Sequence, residues 1–390
     1  MLNRNSCSLR PRAWESGREP CATQFATWRT STQHRLPSCW PPKKTCTTLF
    51  DRTPMRSLIS KGRPAGRRSF LHAAAAATSL LLAAATGAVH AQDYPNRPIN
   101  LVVGFPPGGS NDIVARILAP RLGEALGVPV VVVNKPGSNA LIGTEFVARA
   151  APDGYTLTLA SASPLVISPA TYSRMPFDAL NDLVGITTVA STPELIAVHP
   201  SIKVQTLQEL VALSKTREIT LSSSGNGGLP HLAIELLRTA TQGKFLHVPY
   251  KGAGPAVVDT VGGHVNGVIM DLPALQTMVA DGKLRAVAIT NTARAPSLPG
   301  TPTSVEQGIP SVLAFNWFAV MAPAKTPRPI VDRLHAALIK VSGSAEVKEA
   351  MLKVGVEPLT HPSPEAFAAF MREETMRWGK VARDSGAKAD

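Results

Sequence analysis

The sequence predicts an α/β protein of two lobes, and three observations carry that prediction. From Pro98 onward, short runs rich in β-branched residues alternate with longer stretches of helical periodicity, the pattern of strands feeding helices in a largely parallel sheet. The alternation occurs twice, resuming after about residue 194, and each round sends a glycine-rich stretch into a helix. Three helical patterns then close the chain behind one short strand. That is too little for a sheet of their own, so they are expected to pack back on the first lobe.

Taken in order, "INLVVGF" reads as a strand and "SNDIVARILAPRLGEALG" as a helix with Ser110 or Asn111 at its N-cap and Gly127 at its end. "VPVVVVN" is a second strand, and its four consecutive valines fit a central strand buried on both faces. "LIGTEFVARA" is a helix, "PDG" a turn and "YTLTLAS" a third strand, completing a β-α-β-α-β unit whose right-handed crossovers line up loops at the carboxyl ends of the strands. The second round gives strand "ELIAVHP", helix "VQTLQELVALSK", strand "EITLSSS" and the loop and helix "SGNGGLPHLAIELLRTAT". Strand, turn and helix follow in "KFLHVPYKGAGPAVVDTVGG", then strands "HVNGVIMDLP" and "KLRAVAITN". The chain returns through "FNWFAVMAPAKTP" to the helices "PRPIVDRLHAALIKVSG", "SAEVKEAMLKVG" and "SPEAFAAFMREETMRWGKVARDSG". Two lobes joined by two crossings leave a cleft between them, a common place for a small-molecule site.

Of the formal charge of +13, the leader carries +11. Residues 1–91 hold 14 of the 40 basic side chains and only Glu15, Glu19 and Asp51 of the 27 acids, so the remainder carries +2 and calls for no nucleic-acid partner. "GRPAGRRSFLHAAAAATSLLLAAATGAVHAQDYP" has a basic segment, an Ala/Leu-rich apolar segment and small residues Val89 and Ala91 before a cleavage point. It reads as a secretory signal over residues 55–91, with the mature chain starting near Gln92. Arg67 and Arg68 make it a twin-arginine (Tat) or a plain Sec signal. A membrane anchor fits less well, because the run is Ala-rich, contains His72 and His90 and ends in a cleavage-like site. Residues 1–54 hold all four cysteines (Cys7, Cys21, Cys39 and Cys46) without metal or disulfide spacing, and are expected to be a non-native or disordered extension.

The two glycine-rich loops are where chemistry is expected. A loop that opens a helix presents unpaired backbone N–H groups and the positive end of the helix dipole, which together bind anions. Neither "GFPPGGSND" nor "GNGGLPH" has the lysine of a phosphate-binding P-loop or the spacing of a dinucleotide fingerprint, so a carboxylate fits better than a nucleotide. Pro106 and Pro107 stiffen the first loop, Gly108 and Gly109 admit close approach, and Asp112 caps the helix from its first turn. A plain strand-to-helix turn without ligand satisfies the same residues. His231 sits early in the second loop's helix, either toward a ligand or as a cap; Ser222 to Ser224 are hydroxyl donors or strand-end polar residues. Lys251 pairs with a ligand carboxylate or is solvated, and Asp271, at a strand's carboxyl end, contacts a site or caps a turn. No catalytic nucleophile motif is present and the histidines of the mature chain lack metal spacing, so no catalytic residue, metal or cofactor is expected.

The blocks "YPNRPINLVVGFPPGGSNDIVARILAPRLGEALG", "NKPGSNALIGTEFVARAAPDGYTL", "SSGNGGLPHLAIELL", "HVPYKGAGPAVVDTVGGHV", "DGKLRAVAITNTARAPSLPGTPTSVEQG" and "RWGKVARDSGAKAD", in that order, resemble the Bug extracytoplasmic solute receptors, the substrate-binding components associated with tripartite tricarboxylate transporters. The resemblance implies a two-lobed periplasmic binding protein type II fold, each lobe a mostly parallel sheet flanked by helices, that closes on its ligand like a flytrap. It divides the chain into residues 92–193 and 318–390 for lobe 1 and 194–317 for lobe 2.

It also implies a small carboxylate ligand (a di- or tricarboxylate, an amino acid or an aromatic acid) and transient contact with membrane transporter subunits, by a monomer. Carried onto this chain, the ligand residues are Phe105, Pro106, Pro107, Gly108, Gly109, Ser110 and Asp112 in the first loop, with Ser161, Ala162 and Ser163 at the third strand's end. Ser223, Ser224, Gly225, Asn226, Gly227 and His231 belong to the second lobe, with Tyr250, Lys251 and Asp271 near the cleft. Where relatives commonly have "RPGAGG" this chain has "KPGSNA", which adds Asn139 as a candidate specificity contact. A sensor receptor feeding a membrane kinase and a secreted enzyme acting on a carboxylate are the alternatives of other classes.

Overall fold

The computed structural model describes residues 94–390, so the expected extension (1–54) and signal (55–91) lie outside the described residues. The chain begins with β1 (Ile99–Val103), α1 (Ser110–Leu126), β2 (Val130–Asn134), α2 (Leu141–Ala148) and β3 (Thr156–Ser161), with β1 paired in parallel to β2 on one side and β3 on the other. Helix α1 stops where Gly127 takes a left-handed conformation at φ 76°, open to glycine at little steric cost. Its N-cap is Gly109, one residue before Ser110 and without a capping side chain, so no side chain at that position caps the first N–H groups of α1.

After β3 the chain winds through a π-helical turn (Ser163–Ile167) into a single helical turn, α3 (Ser168–Thr171). β4 (Leu183–Val198), 16 residues long, then links two sets of strands. Its residues 183–193 pair with β9 (Phe315–Pro323), and Glu194–Val198 pair with β7 (Gly267–Asp271) and β8 (Arg285–Ile289). Between these lie α4 (Leu207–Thr216), β5 (Ile219–Ser223), α5 (Leu229–Thr241), β6 (Phe245–Pro249), α6 (Ala253–Val261) and α7 (Leu272–Ala280). Helix α4 starts on a capping arrangement in which Thr206 accepts from Glu209 N and Glu209 accepts from Gln205 N. The chain ends in α8 (Arg328–Gly343), α9 (Ala345–Lys353), β10 (Glu357–Pro358) and α10 (Pro364–Ser385).

Hydrogen bonding runs in the order β2-β1-β3-β9-β4-β7-β5-β6, with β8 and β10 also on β4. β5 is parallel to both β6 and β7, whereas β4 and β9 run antiparallel to their neighbours. Two sequence expectations change here. β2 is an edge strand with Val131 46% exposed, not a central one; its valines answer to β-propensity, which an edge strand shares with a buried one. The first half of β4, the π-helical turn and α7 carry no clear periodicity and emerge only in the folded chain.

Three apolar clusters form the core. α1 and α8 cover one face of the first strands through Leu118, Leu122, Leu334 and Leu338. α10 lays Phe367, Met371 and Trp378 against Leu165 and Ile167 of the π-helical turn and against Leu229 and Leu232 of α5, so the last helix is shared by both rounds of the fold. A third cluster joins Leu195, Val268, Leu275 and Ile289. Buried Glu374 of α10 accepts the indole N–H groups of Trp317 (3.2 Å) and Trp378 (3.0 Å), meeting the demand that each buried donor find a partner. Among the described residues no helix is long and apolar enough to cross a membrane.

Candidate functional site

The loop from Gly104 to Gly109 is held by its own polar residues. Gly108, at φ 84°, donates its N–H to Asp112 Oδ2 (3.0 Å), and Asp112 also accepts from Arg116 Nε (2.8 Å) and Asn134 Nδ2 (2.9 Å). Burial pushes the Asp112 pKa up, but the hydrogen bonds from Arg116, Gly108 and Asn134 outweigh it and hold the carboxyl below its ordinary value. Asp112 therefore fixes the loop from behind, while Gly109, Ser110 and Asn111 line a small cavity of about 30 Å³.

The second loop is built the same way from different residues. Gly225 N–H donates to Ser223 Oγ (3.2 Å), Gly227 N–H to His231 Nδ1 (2.9 Å), and Leu229 N–H to Ser163 Oγ (3.1 Å). Ser163 follows β3, so a residue beside the first loop caps the helix of the second. His231 stacks on His247 with ring centroids 3.9 Å apart, and His247 Nε2 meets Ser223 Oγ at 2.6 Å. Burial lowers both imidazole pKa values, that of His247 to about 3 with a further push from His231, so both rings are neutral struts under the loop.

A third helix end joins them. Gly252, at φ 110°, donates its N–H to Ser224 O (3.1 Å) and opens α6, whose first residues Ala253 and Gly254 line the same cavity. The first residues of α1 (Ser110 and Asn111), α5 (Pro230) and α6 (Ala253 and Gly254) thus meet at one small space, where helix N-termini favour an anion. The strand ends close it with Ser161, Ser163, Met270, Asp271 and Asn316. The Ser110 and Ser161 hydroxyls are buried there without a hydrogen-bond partner. Among the described residues no lysine or arginine lines this inner cavity.

An outer cleft of about 680 Å³ shares Phe105, Pro106 and Ser224 with it and adds Asn139, Tyr172, Gly225, Asn226, Tyr250 and Lys251. Asn139 lies in a run of three positive-φ residues, Ser138 to Ala140, and donates Nδ2 to the Asn226 carbonyl across the cleft. Tyr250 donates its hydroxyl to Asp259 (2.6 Å). A surface groove of about 870 Å³ along α1 and β2 is larger, but it holds no converging N–H groups.

Of the residues singled out in the sequence, Phe105, Pro106, Pro107, Gly109, Ser110, Ser161, Ser163, Ser224 and Asp271 line the inner cavity. Asn139, Gly225, Asn226, Tyr250 and Lys251 line only the outer cleft. Gly108, Asp112, Ala162, Ser223, Gly227 and His231 line neither and stand behind the loops. Sequence reasoning missed Glu194 and Asn316. Glu194 faces Asp271 directly across the β4–β7 ladder and is fully buried, its pKa held well above the ordinary value by burial first and the Asp271 carboxylate second. Asn316 donates Nδ2 to both Asp271 oxygens at 3.1 Å. Their signal was a polar residue inside a long apolar run, "TPELIAV" and "FNWFAVMAP". Among the described residues no three His, Cys, Asp or Glu side chains are placed to hold a metal ion.

The sequence pattern described as tripartite tricarboxylate transporter family receptor matches residues 114–387. BugT of Bordetella pertussis is 40% identical over 303 residues, covering 77% of this chain and 93% of BugT. R. palustris Rpa4515, solved with adipate, is similar at TM-score 0.74 and 32% identity over 76% of this chain and 99% of that one. MatC from Rhodopseudomonas palustris, solved with bound malate, is similar at TM-score 0.69 and 27% identity over 74% of this chain and 99% of MatC.

Proposed function

The chain belongs to the family of tripartite tricarboxylate transporter receptors, and from that premise we propose that it captures a small organic carboxylate in the periplasm and hands it, without turnover, to membrane transporter subunits. The observation that carries this reading is the meeting of three helix starts and two unpartnered buried hydroxyls at one cavity that, among the described residues, has no cationic side chain in its lining. Backbone donors and helix ends hold a carboxylate by many modest interactions and release it more readily than a buried lysine or arginine ion pair would. Adipate and malate in the related structures are of the same chemical class.

Lobe 1 in this reading is residues 92–193 with 318–390, and lobe 2 is 194–317. Its support is the change of partner along β4, which pairs with β9 through Pro193 and with β7 from Glu194. A ligand that touches the loops of both lobes binds the closed form better than the open one and shifts the population toward closure. The receptor works as a monomer and reaches the periplasm by the basic, Ala/Leu-rich leader, whose sequence is the support for export.

The test is native mass spectrometry of the protein as purified, followed by a thermal-shift screen of di- and tricarboxylates, amino acids and aromatic acids. A ligand at 100 times its Kd stabilises by about 2.7 kcal/mol. Absence of any shift across the panel, or chemical conversion of the bound acid, overturns the proposal.

A further inference from the structure

Asp271 is an unexpected wall for a cavity that receives an anion. Its carboxylate lines the inner cavity at the end of β7, where a ligand carboxylate drawn to the helix ends meets a like charge. The protein side of Asp271 is fixed. Asn316 Oδ1 accepts from Trp317 N (3.0 Å) and Ala162 N (3.3 Å), which turns its Nδ2 toward Asp271. Rotating that amide would leave both backbone N–H groups facing a donor. Burial raises the pKa of both acids, that of fully buried Glu194 well above its ordinary value, while at Asp271 the neighbouring Glu194 and Asn316 side chains work against the rise. Asp271 is left as an acceptor, flanked by the unpartnered hydroxyls of Ser110 and Ser161, which are 5% and 1% exposed as residues.

From this arrangement we infer that the site selects acids bearing a hydrogen-bond donor on the carbon next to the carboxylate, 2-hydroxy or 2-amino acids, with Asp271 receiving the donor. The inference rests on the carboxylate reading above. The helix ends take the carboxylate, Asp271 takes the neighbouring hydroxyl or ammonium, and Ser110 and Ser161 donate or accept as the ligand requires. The inner cavity of about 30 Å³ adjoins the outer cleft of about 680 Å³, so the head group would sit where the two meet, with the rest of the molecule in the cleft. An acid without the donor leaves Asp271 unpaired against a second carboxylate, the kind of mismatch that a polar site rejects strongly.

Calorimetric titration of the purified protein with matched acids tests this: succinate against malate and aspartate, and glutarate against 2-hydroxyglutarate and glutamate. In the wild type, a donor-bearing acid is expected to bind at least about tenfold more tightly than its plain partner, the range of a hydrogen bond to a charged group. Asp271→Asn is expected to bring the partners within about twofold of each other, since the charged acceptor is lost. Glu194→Gln is expected to keep the preference, because Asp271 remains. Equal affinities in the wild type, or a preference that survives Asp271→Asn in full, overturn the inference while leaving carboxylate binding intact. Absence of binding by every acid overturns both readings together. If circular dichroism finds Asp271→Asn unfolded, the wild-type series and Glu194→Gln decide the question.

Discussion

Glu194→Gln isolates the buried acid pair from every other feature of the fold. Glu194 has no exposed surface, neither of its carboxylate oxygens has a hydrogen-bond partner, and Asp271 faces it across the ladder. Burial and then the Asp271 carboxylate push its pKa well above the ordinary value of 4.5, near which the unfolded chain ionises it. A raised pKa of this kind contributes stability that is complete below the unfolded value and is lost as pH climbs toward the folded one. Across that window the native state binds one more proton than the unfolded state, so unfolding free energy falls by about 1.4 kcal/mol per pH unit. Glutamine has nearly the same shape and does not titrate. The stability gap between variant and wild type should therefore widen in favour of the variant as pH rises above the unfolded value, by at most about 1.4 kcal/mol per unit, until the folded value is reached. Urea denaturation of both proteins at about pH 5, 6 and 7, with slopes compared to confirm equal exposure on unfolding, measures the gap directly. A gap independent of pH would show that Glu194 ionises in the folded protein, and the argument that Asp271 is the sole charged acceptor would go with it.

Asn139→Ala removes the hydrogen bond to the Asn226 carbonyl, worth about 1 kcal/mol, and on the proposed closure of the lobes should weaken ligand binding about fivefold by calorimetry; unchanged affinity would show that the contact plays no part in binding. Gly109→Val should fold normally, because Gly109 sits at φ −79° and an added Cβ meets nothing nearer than Pro106 O at 3.6 Å, yet it should abolish ligand-induced thermal shifts by filling the inner cavity. A retained shift would mean that the first loop is only structural. Glu374→Ala strands the indole N–H groups of Trp317 and Trp378 in the core and should cost about 3 kcal/mol in chemical denaturation, and a loss under about 1 kcal/mol would deny Glu374 that role.

The parts of the fold legible in the sequence are those set by local chemistry. Gly127 ends α1 because a left-handed residue is needed there, and the β-α-β-α-β run from Ile99 to Ser161 shows in its periodicity because strand and helix bury one face each. The loops at Pro106–Gly109 and Gly225–Gly228 stand out because proline and glycine change what the backbone itself can do. Where neighbours decide, the residues mislead or stay silent. Four valines in β2 suggest a strand with both faces covered, and only the strand order reveals an edge. β4 hides its first half because "LVGITTVAST" mixes small and polar residues against β9, with register shifts after Gly185 and Thr188.

By itself, then, the sequence determined most of the strands and helices and the two glycine-rich loops, since these follow from propensity, capping and backbone freedom within a few residues of each position. Tertiary structure alone decided what those loops face. Glu194, Asp271 and Asn316 come from three distant segments and meet only through the register of β4 with β7 and the return of β9, and Ser163 caps a helix 66 residues away. Register and long-range packing depend on how all the strands fit together, so the charge, the proton and the open hydroxyls of the inner cavity belong to the fold as a whole.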